Sequence, residues 1–264
     1  VLALLTFYLL SRSFIHIATA TGKTEKVVYR EKKEKRKSEF GALLTKEFRR
    51  FTSSPNYMLN CGLGTVLMPI LAIVVLVKGR SLLQNILQFL EREQMGGIIV
   101  IIAVAAVCLL ASMNDMVVPS VSLEGKNLWI LQSLPVKPWN ILRAKLSMQL
   151  LLTGIPVFLC EVCIVVCVRA DVVQSLFILI LPLIFTVMLT VFGLFLGINM
   201  PNLTWTNELA PIKQSLSVVI SMFGGWAVAV GMVGLYFAGG KKLGEIGYLS
   251  LVTLVFVLIS AGLY

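Results

Sequence analysis

Leu176-Phe177-Ile178-Leu179-Ile180-Leu181-Pro182-Leu183-Ile184-Phe185-Thr186-Val187-Met188-Leu189 lies at the centre of a run, Gln174 to Ile198, that carries no charged residue. About 20 residues of this kind rise about 30 Å as a helix, the thickness of the hydrocarbon core of a bilayer. The run does not alternate polar with apolar residues as a barrel strand would, so it predicts a membrane-spanning helix. Five further runs read the same way: Leu59 to Val77, Ile98 to Val118, Ser147 to Val168, Ser217 to Ala238 and Ile246 to Tyr264. The expected fold class is all-α, a polytopic membrane protein whose transmembrane domain, residues 59–264, is a six-helix block.

Composition agrees. With 58% hydrophobic and 14% charged residues, the chain lacks the polar surface that a water-soluble domain of 264 residues requires. The formal charge of +10 would suggest nucleic acid in a soluble protein, but here the cations gather at the ends of the apolar runs. Gly22 to Arg50 holds a dense set of Lys and Arg, which places it on the cytoplasmic side by the positive-inside rule. Strict alternation then puts the loop at 119–146 and the loop with Lys213 on the same side as Lys32, opposite Glu91 and Lys241. Both ends of the six-span block are thus expected in the cytoplasm.

Residues 1–20 read as the tail of a preceding membrane helix, because Val1 to Leu10 is apolar but too short to span. Residues 21–38 form a charged linker or a solvated helical extension. Residues 39–58 follow as an amphipathic elbow. There Phe40, Leu44, Phe48 and Phe51 recur at helical spacing, with Lys46, Arg49 and Arg50 on the other side. The expected orientation is in the membrane plane, aromatic side in the acyl boundary and cations at the headgroups. Ser53-Ser54-Pro55-Asn56 ends this helix and turns the chain into the first span.

The longest loop, at 119–146, contains Ser122-Leu123-Glu124-Gly125-Lys126-Asn127-Leu128-Trp129-Ile130-Leu131-Gln132-Ser133-Leu134-Pro135. Leu123, Leu128, Leu131 and Leu134, with Trp129 and Ile130 beside them, predict a short amphiphilic helix stopped by Pro135. Pro138 suits the first turn of the next helix, where a missing N–H costs nothing. Glu124 can accept from a partner's cations, Lys126 and Asn127 can donate, and Trp129 offers a large contact surface or a membrane-interface anchor.

Enzyme chemistry is hard to assemble. His16 is the only histidine, which excludes a two-histidine zinc motif, and Asp115 and Asp171 fall too far apart in the expected topology for a dyad. No catalytic residue, metal site or cofactor is assigned. Cys160, Cys163 and Cys167 share a helix face and read as packed or lipid-facing small hydrophobes. Glu161, in the middle of a span, is expensive there. It reads either as a substrate-path residue or as a carboxyl that is protonated or reaches toward Arg169. Asn114-Asp115 is expected to cap a helix or pair with loop cations, and Gly193 and Gly197 permit close helix approach.

The order of elements resembles the membrane subunit of bacterial ABC-2 type exporters, over about Phe40 to Tyr264. Leu44-Thr45-Lys46-Glu47-Phe48 in the elbow, Ser122 to Pro135 with Lys137-Pro138 in the loop, and Asn202 to Ser217 carry the likeness. The resemblance implies a permease that moves substrate by alternating access, and a coupling helix in which Glu124, Lys126, Asn127 and Trp129 meet a separate nucleotide-binding ATPase subunit. ATP and Mg would sit on that partner; this chain has no G-x-x-x-x-G-K-[ST] loop. It also implies a second six-span block, as the preceding part of the same polypeptide, alongside membrane lipids and no nucleic acid. The alternative is a non-transporting membrane anchor or sensor of a signalling or stress-response complex.

Overall fold

The computed structural model describes Tyr8 and residues 37–92, 98–168 and 171–264, with the side chains of 80–92 set aside. The expectations for residues 1–20 and 21–38 fall outside the described residues, apart from Tyr8, Lys37 and Ser38, as does the Arg169 partner considered for Glu161. Lys37–Tyr264 forms one unit. Its regular structure is helical, and no strand occurs among the described residues.

Helix α1, Glu39–Ser53, is the elbow. Ser38 caps its N-terminus by accepting from the Gly41 amide, and Ser54 ends it and caps α2, Pro55–Cys61, with Pro55 in the first turn. The Ser-Ser-Pro turn therefore acts as the sequence predicts. Helix α3, Leu63–Arg92, meets α2 at a bend of 48° centred on Gly62. A β-carbon there would collide with the Phe51 ring of α1. Beyond Val77 the helix runs on to Arg92, because its residues favour helix and no Pro or Gly intervenes after Gly79 until Gly96.

The second span departs from expectation. Helix α4, Ile98–Ala111, is only about 21 Å long. The chain leaves the helix at Ser112–Met116 and restarts as α5, Val117–Ser122. After a short turn at Gly125–Asn127 come α6, Leu128–Ser133, and then α7, Pro138–Val168, which begins at the proline as predicted. Helix α8 is Val172–Asn199, α9 Leu209–Lys213, α10 Leu216–Ala238 and α11 Gly244–Leu263. Among the described residues, four helices are long and apolar enough to cross a bilayer, and five if the bent pair α2–α3 is one span; α4 is a shorter apolar helix.

The main core joins α4, α8, α10 and α11 through residues such as Ile101, Val104, Phe185, Leu189 and Leu249. Helix α7 packs on α3, where Cys160 Sγ lies 3.1 Å from Met68 O and Cys167 Sγ 3.3 Å from Val75 O. These two cysteines are buried and no disulfide forms, so they pack as small hydrophobes. Gly193 and Gly197 are also intrachain features. A β-carbon on Gly193 would fall 2.9 Å from Val117 and Val118 side chains, and one on Gly197 2.6 Å from the Val118 carbonyl. The pair lets α8 lie directly against α5.

Candidate functional site

The broken second span, the elbow and the 119–137 loop come together at one end of the bundle. Gln149 of α7 stitches the break. Its Oε1 accepts from the Met116 and Val117 amides at 2.7 and 3.2 Å, and its Nε2 donates to Asn114 O and to Thr153 Oγ1. The Tyr57 hydroxyl donates to Met116 O. Backbone groups freed by the break are thus met by side chains from α2 and α7, the condition for irregular backbone at membrane depth.

Around this stitched turn sits a cluster of five charged groups. Glu124 follows α5 and is only 4% exposed. Its Oε1 lies 2.6 Å from Lys46 Nζ and 3.0 Å from Lys145 Nζ. Arg50 reaches both oxygens, with Nη1 2.7 Å from Oε1 and Nη2 2.8 Å from Oε2. Glu47, also buried, accepts from Lys145 at 3.0 Å, and Lys145 donates to Ser120 O at 3.0 Å. Burial acts to raise the Glu124 pKa, but the Arg50 hydrogen bonds, the Lys145 and Arg50 charges and the Lys46 hydrogen bond outweigh it and hold the group at about 2.

This geometry corrects two expectations. Glu124 is not open to a partner's cations, since three cations of its own chain already occupy it. Lys46 and Arg50 turn inward to that carboxylate instead of out to headgroups, a stronger attraction than a solvated phosphate offers to a half-buried cation. Arg49 and Phe40 remain exposed, while Leu44, Phe48 and Phe51 pack against Tyr57, Cys61, Met116, Leu123, Met148 and Ile212. The elbow's apolar side is therefore largely spent on protein. Asn114 and Asp115 are also placed differently: they sit in the break, and Asp115 forms no ion pair with a loop cation among the described residues.

The loop's outer surface keeps its expected character. Trp129 is 64% exposed, and Ile130, Leu134, Lys126 and Asn127 are exposed with it, whereas Leu123 and Leu131 face the body of the protein. The turn beneath them is fixed by Gly125, at φ +53°, a conformation that glycine adopts without a Cβ penalty. The Trp205 ring packs over this glycine, and its Nε1 donates to Ser122 O at 2.7 Å. The Asn202 amide donates to Ser122 Oγ at 3.0 Å. Ser54 donates to Glu208 at 2.8 Å, so the 200–208 segment clamps both the loop and the elbow.

Glu161 lies apart from all of this. It is 0% exposed, neither oxygen has a hydrogen-bond partner among the described residues, and it sits beside Cys108 of α4. No cluster of metal-binding side chains occurs among the described residues. Sequence reading missed Glu47, Lys145 and Gln149 as site residues. Gln149 carried a signal, being a polar residue within a run read as membrane-spanning.

No curated protein and no solved structure matches the chain. A family of membrane proteins does match, over residues 1–262. A polytopic, all-helical chain with a broken span and a stitched, charged end is thereby placed: it belongs to the family described as "Membrane protein of 12 TMs".

Proposed function

We propose that the chain is the membrane-spanning permease of an ATP-driven exporter, with α6 as the contact for a separate nucleotide-binding ATPase that holds ATP and Mg. A second six-span block completes the transport unit in this reading. The loop end then faces the cytoplasm of a bacterial plasma membrane.

The observation that carries the reading is the exposed apolar tip of α6, Trp129, Ile130 and Leu134. Directly behind the tip, Glu124 is tied to Lys46 and Arg50 of the elbow and to Lys145 of α7. A force applied to α6 therefore reaches two helices at once. Coupling requires that the ATP-bound partner discriminate between two arrangements of the spans, because a partner that binds both equally shifts nothing.

The test is co-purification with the cognate ATPase together with ATP-dependent export. Trp129→Ala is expected to weaken capture about thirtyfold, the effect of about 2 kcal/mol at an aromatic anchor. Ser53→Ala, exposed at the same end, serves as the control. Glu47→Ala would be a poor control, because Glu47 is buried in the ion cluster. Normal capture and export by Trp129→Ala at wild-type expression would overturn the assignment.

A further inference from the structure

At the break in the second span a cavity of about 140 Å³ opens between α2, the Ser112–Met116 turn, α9 and α10. Its wall includes Asn60, Ser112, Asp115, Ile212, Lys213 and Met222. Asp115 is 6% exposed and its Oδ2 has no hydrogen-bond partner among the described residues. The structure offers this carboxylate no Lys or Arg within ion-pair distance among the described residues. The Val118 amide and the Ser221 hydroxyl approach this carboxylate, and Oδ2 is left at the cavity without a positive counterpart.

The neighbouring polar groups are arranged to accept. Ser112 Oγ gives its hydrogen to Cys108 O at 2.8 Å, so its lone pairs remain for another partner. Asn60 Nδ2 donates to Asn56 O at 2.8 Å, which leaves the amide oxygen as the uncommitted end. On the far side, the Ser221 hydroxyl of α10 and the Val118 amide turn their hydrogens toward Asp115 and hold the carboxylate in place. Helix α4 ends at Ala111, and the negative end of its dipole adds to the same field. Oxygen donors at the end of a half-helix, with a single carboxylate, suit a hard cation.

We infer that this cavity binds one monovalent inorganic cation, with Na+ as the natural occupant, held by Asp115, Ser112 and Asn60 at the broken span. Charge balance selects monovalent over divalent. One carboxylate neutralises one positive charge, whereas a divalent ion would leave a net charge in an apolar wall beside exposed Lys213, which already contributes a positive charge at the rim. Water fills space of this size but leaves the carboxylate uncompensated. The bound ion would fix the Ser112–Met116 turn against α2 and α10. This inference is independent of the exporter reading.

Thermal unfolding of the full chain in detergent, followed by tryptophan fluorescence at fixed ionic strength in sodium, potassium or choline chloride, tests the site. Sodium should raise Tm saturably over choline by about 5 °C or more. Asp115→Asn should abolish that difference. Identical Tm values in sodium and choline, or an undiminished response in Asp115→Asn, would overturn the site. If Asp115→Asn does not fold, 22Na+ binding to the wild-type protein decides. One ion bound per chain, displaced by unlabelled sodium and not by choline, supports the site, and no saturable binding refutes it. Stabilisation by lowered pH without any sodium dependence, or displacement of 22Na+ by equimolar Mg2+, would also overturn it.

Discussion

Glu124 and Glu161 are both sealed carboxylates, yet the first sits among three cations and the second beside a cysteine, with no partner among the described residues. The two differ in what burial has been exchanged for. At Glu124 the desolvation of the charge is offset by hydrogen-bonded ion pairs that join the elbow, the loop and α7, so removal of one member strands the others. At Glu161 nothing is joined, and the side chain contributes packing only in its uncharged form. One carboxylate holds elements together; the other merely occupies a place among them.

Breaking the first should cost most. Glu124→Ala leaves Lys145 buried beside cations that have lost their shared acceptor, and about 3 to 5 kcal/mol of stability should be lost in denaturant titrations of the detergent-solubilised protein. The same group sets an acid limit. Its folded-state pKa of about 2 lies below the ordinary 4.5, so its contribution is fully present above pH 4.5 and disappears as pH falls toward 2. Glu124→Gln should flatten the slope of stability against pH across that window, and an unchanged slope would show that the ion cluster does not form.

Gln149→Leu attacks the stitch beside the cluster while keeping its approximate volume. The Met116 and Val117 amides and the Asn114 carbonyl all lose their partner, which should cost about 2 to 4 kcal/mol and expose the 112–116 amides to faster hydrogen exchange. Glu161→Leu should act in the opposite direction, raising stability by about 1 kcal/mol, since it removes a polar group without a partner among the described residues. A loss of more than that amount would mean that Glu161 has a partner after all. Trp129→Ala should change stability by no more than about 0.5 kcal/mol, because the ring is mostly in solvent.

Much of the helical plan is legible in the sequence because it depends on local chemistry. Ser54, Pro55 and Pro138 start or stop helices by capping and by the missing proline donor, and each does so where its neighbours predict. The uninterrupted apolarity of 174–198 likewise specifies α8. The break at Ser112–Met116 is not legible in this way. Ser112, Asn114 and Asp115 read as the end of a span and not as a break within it, and the turn is held by Tyr57 and by Gln149, which arrives from a helix more than thirty residues later. Glu47 looks like a solvated charge on an amphipathic helix, and only the fold brings Lys145 to it across 98 residues. Pairings of that range leave no periodicity to read in one chain.

Helix α7, with 31 residues, is about 46 Å long, against about 30 Å of hydrocarbon. Upright in such a layer, a helix of that length has roughly a third of itself beyond it as an arm. Lys145 is fixed to that arm two turns from its Pro138 tip, with the break stitched at Gln149 one turn further in. A rotation of about 10° about the far end of the helix sweeps the tip through roughly 8 Å. The ion cluster thus sits where a small tilt within the membrane and a large displacement outside it are the same movement.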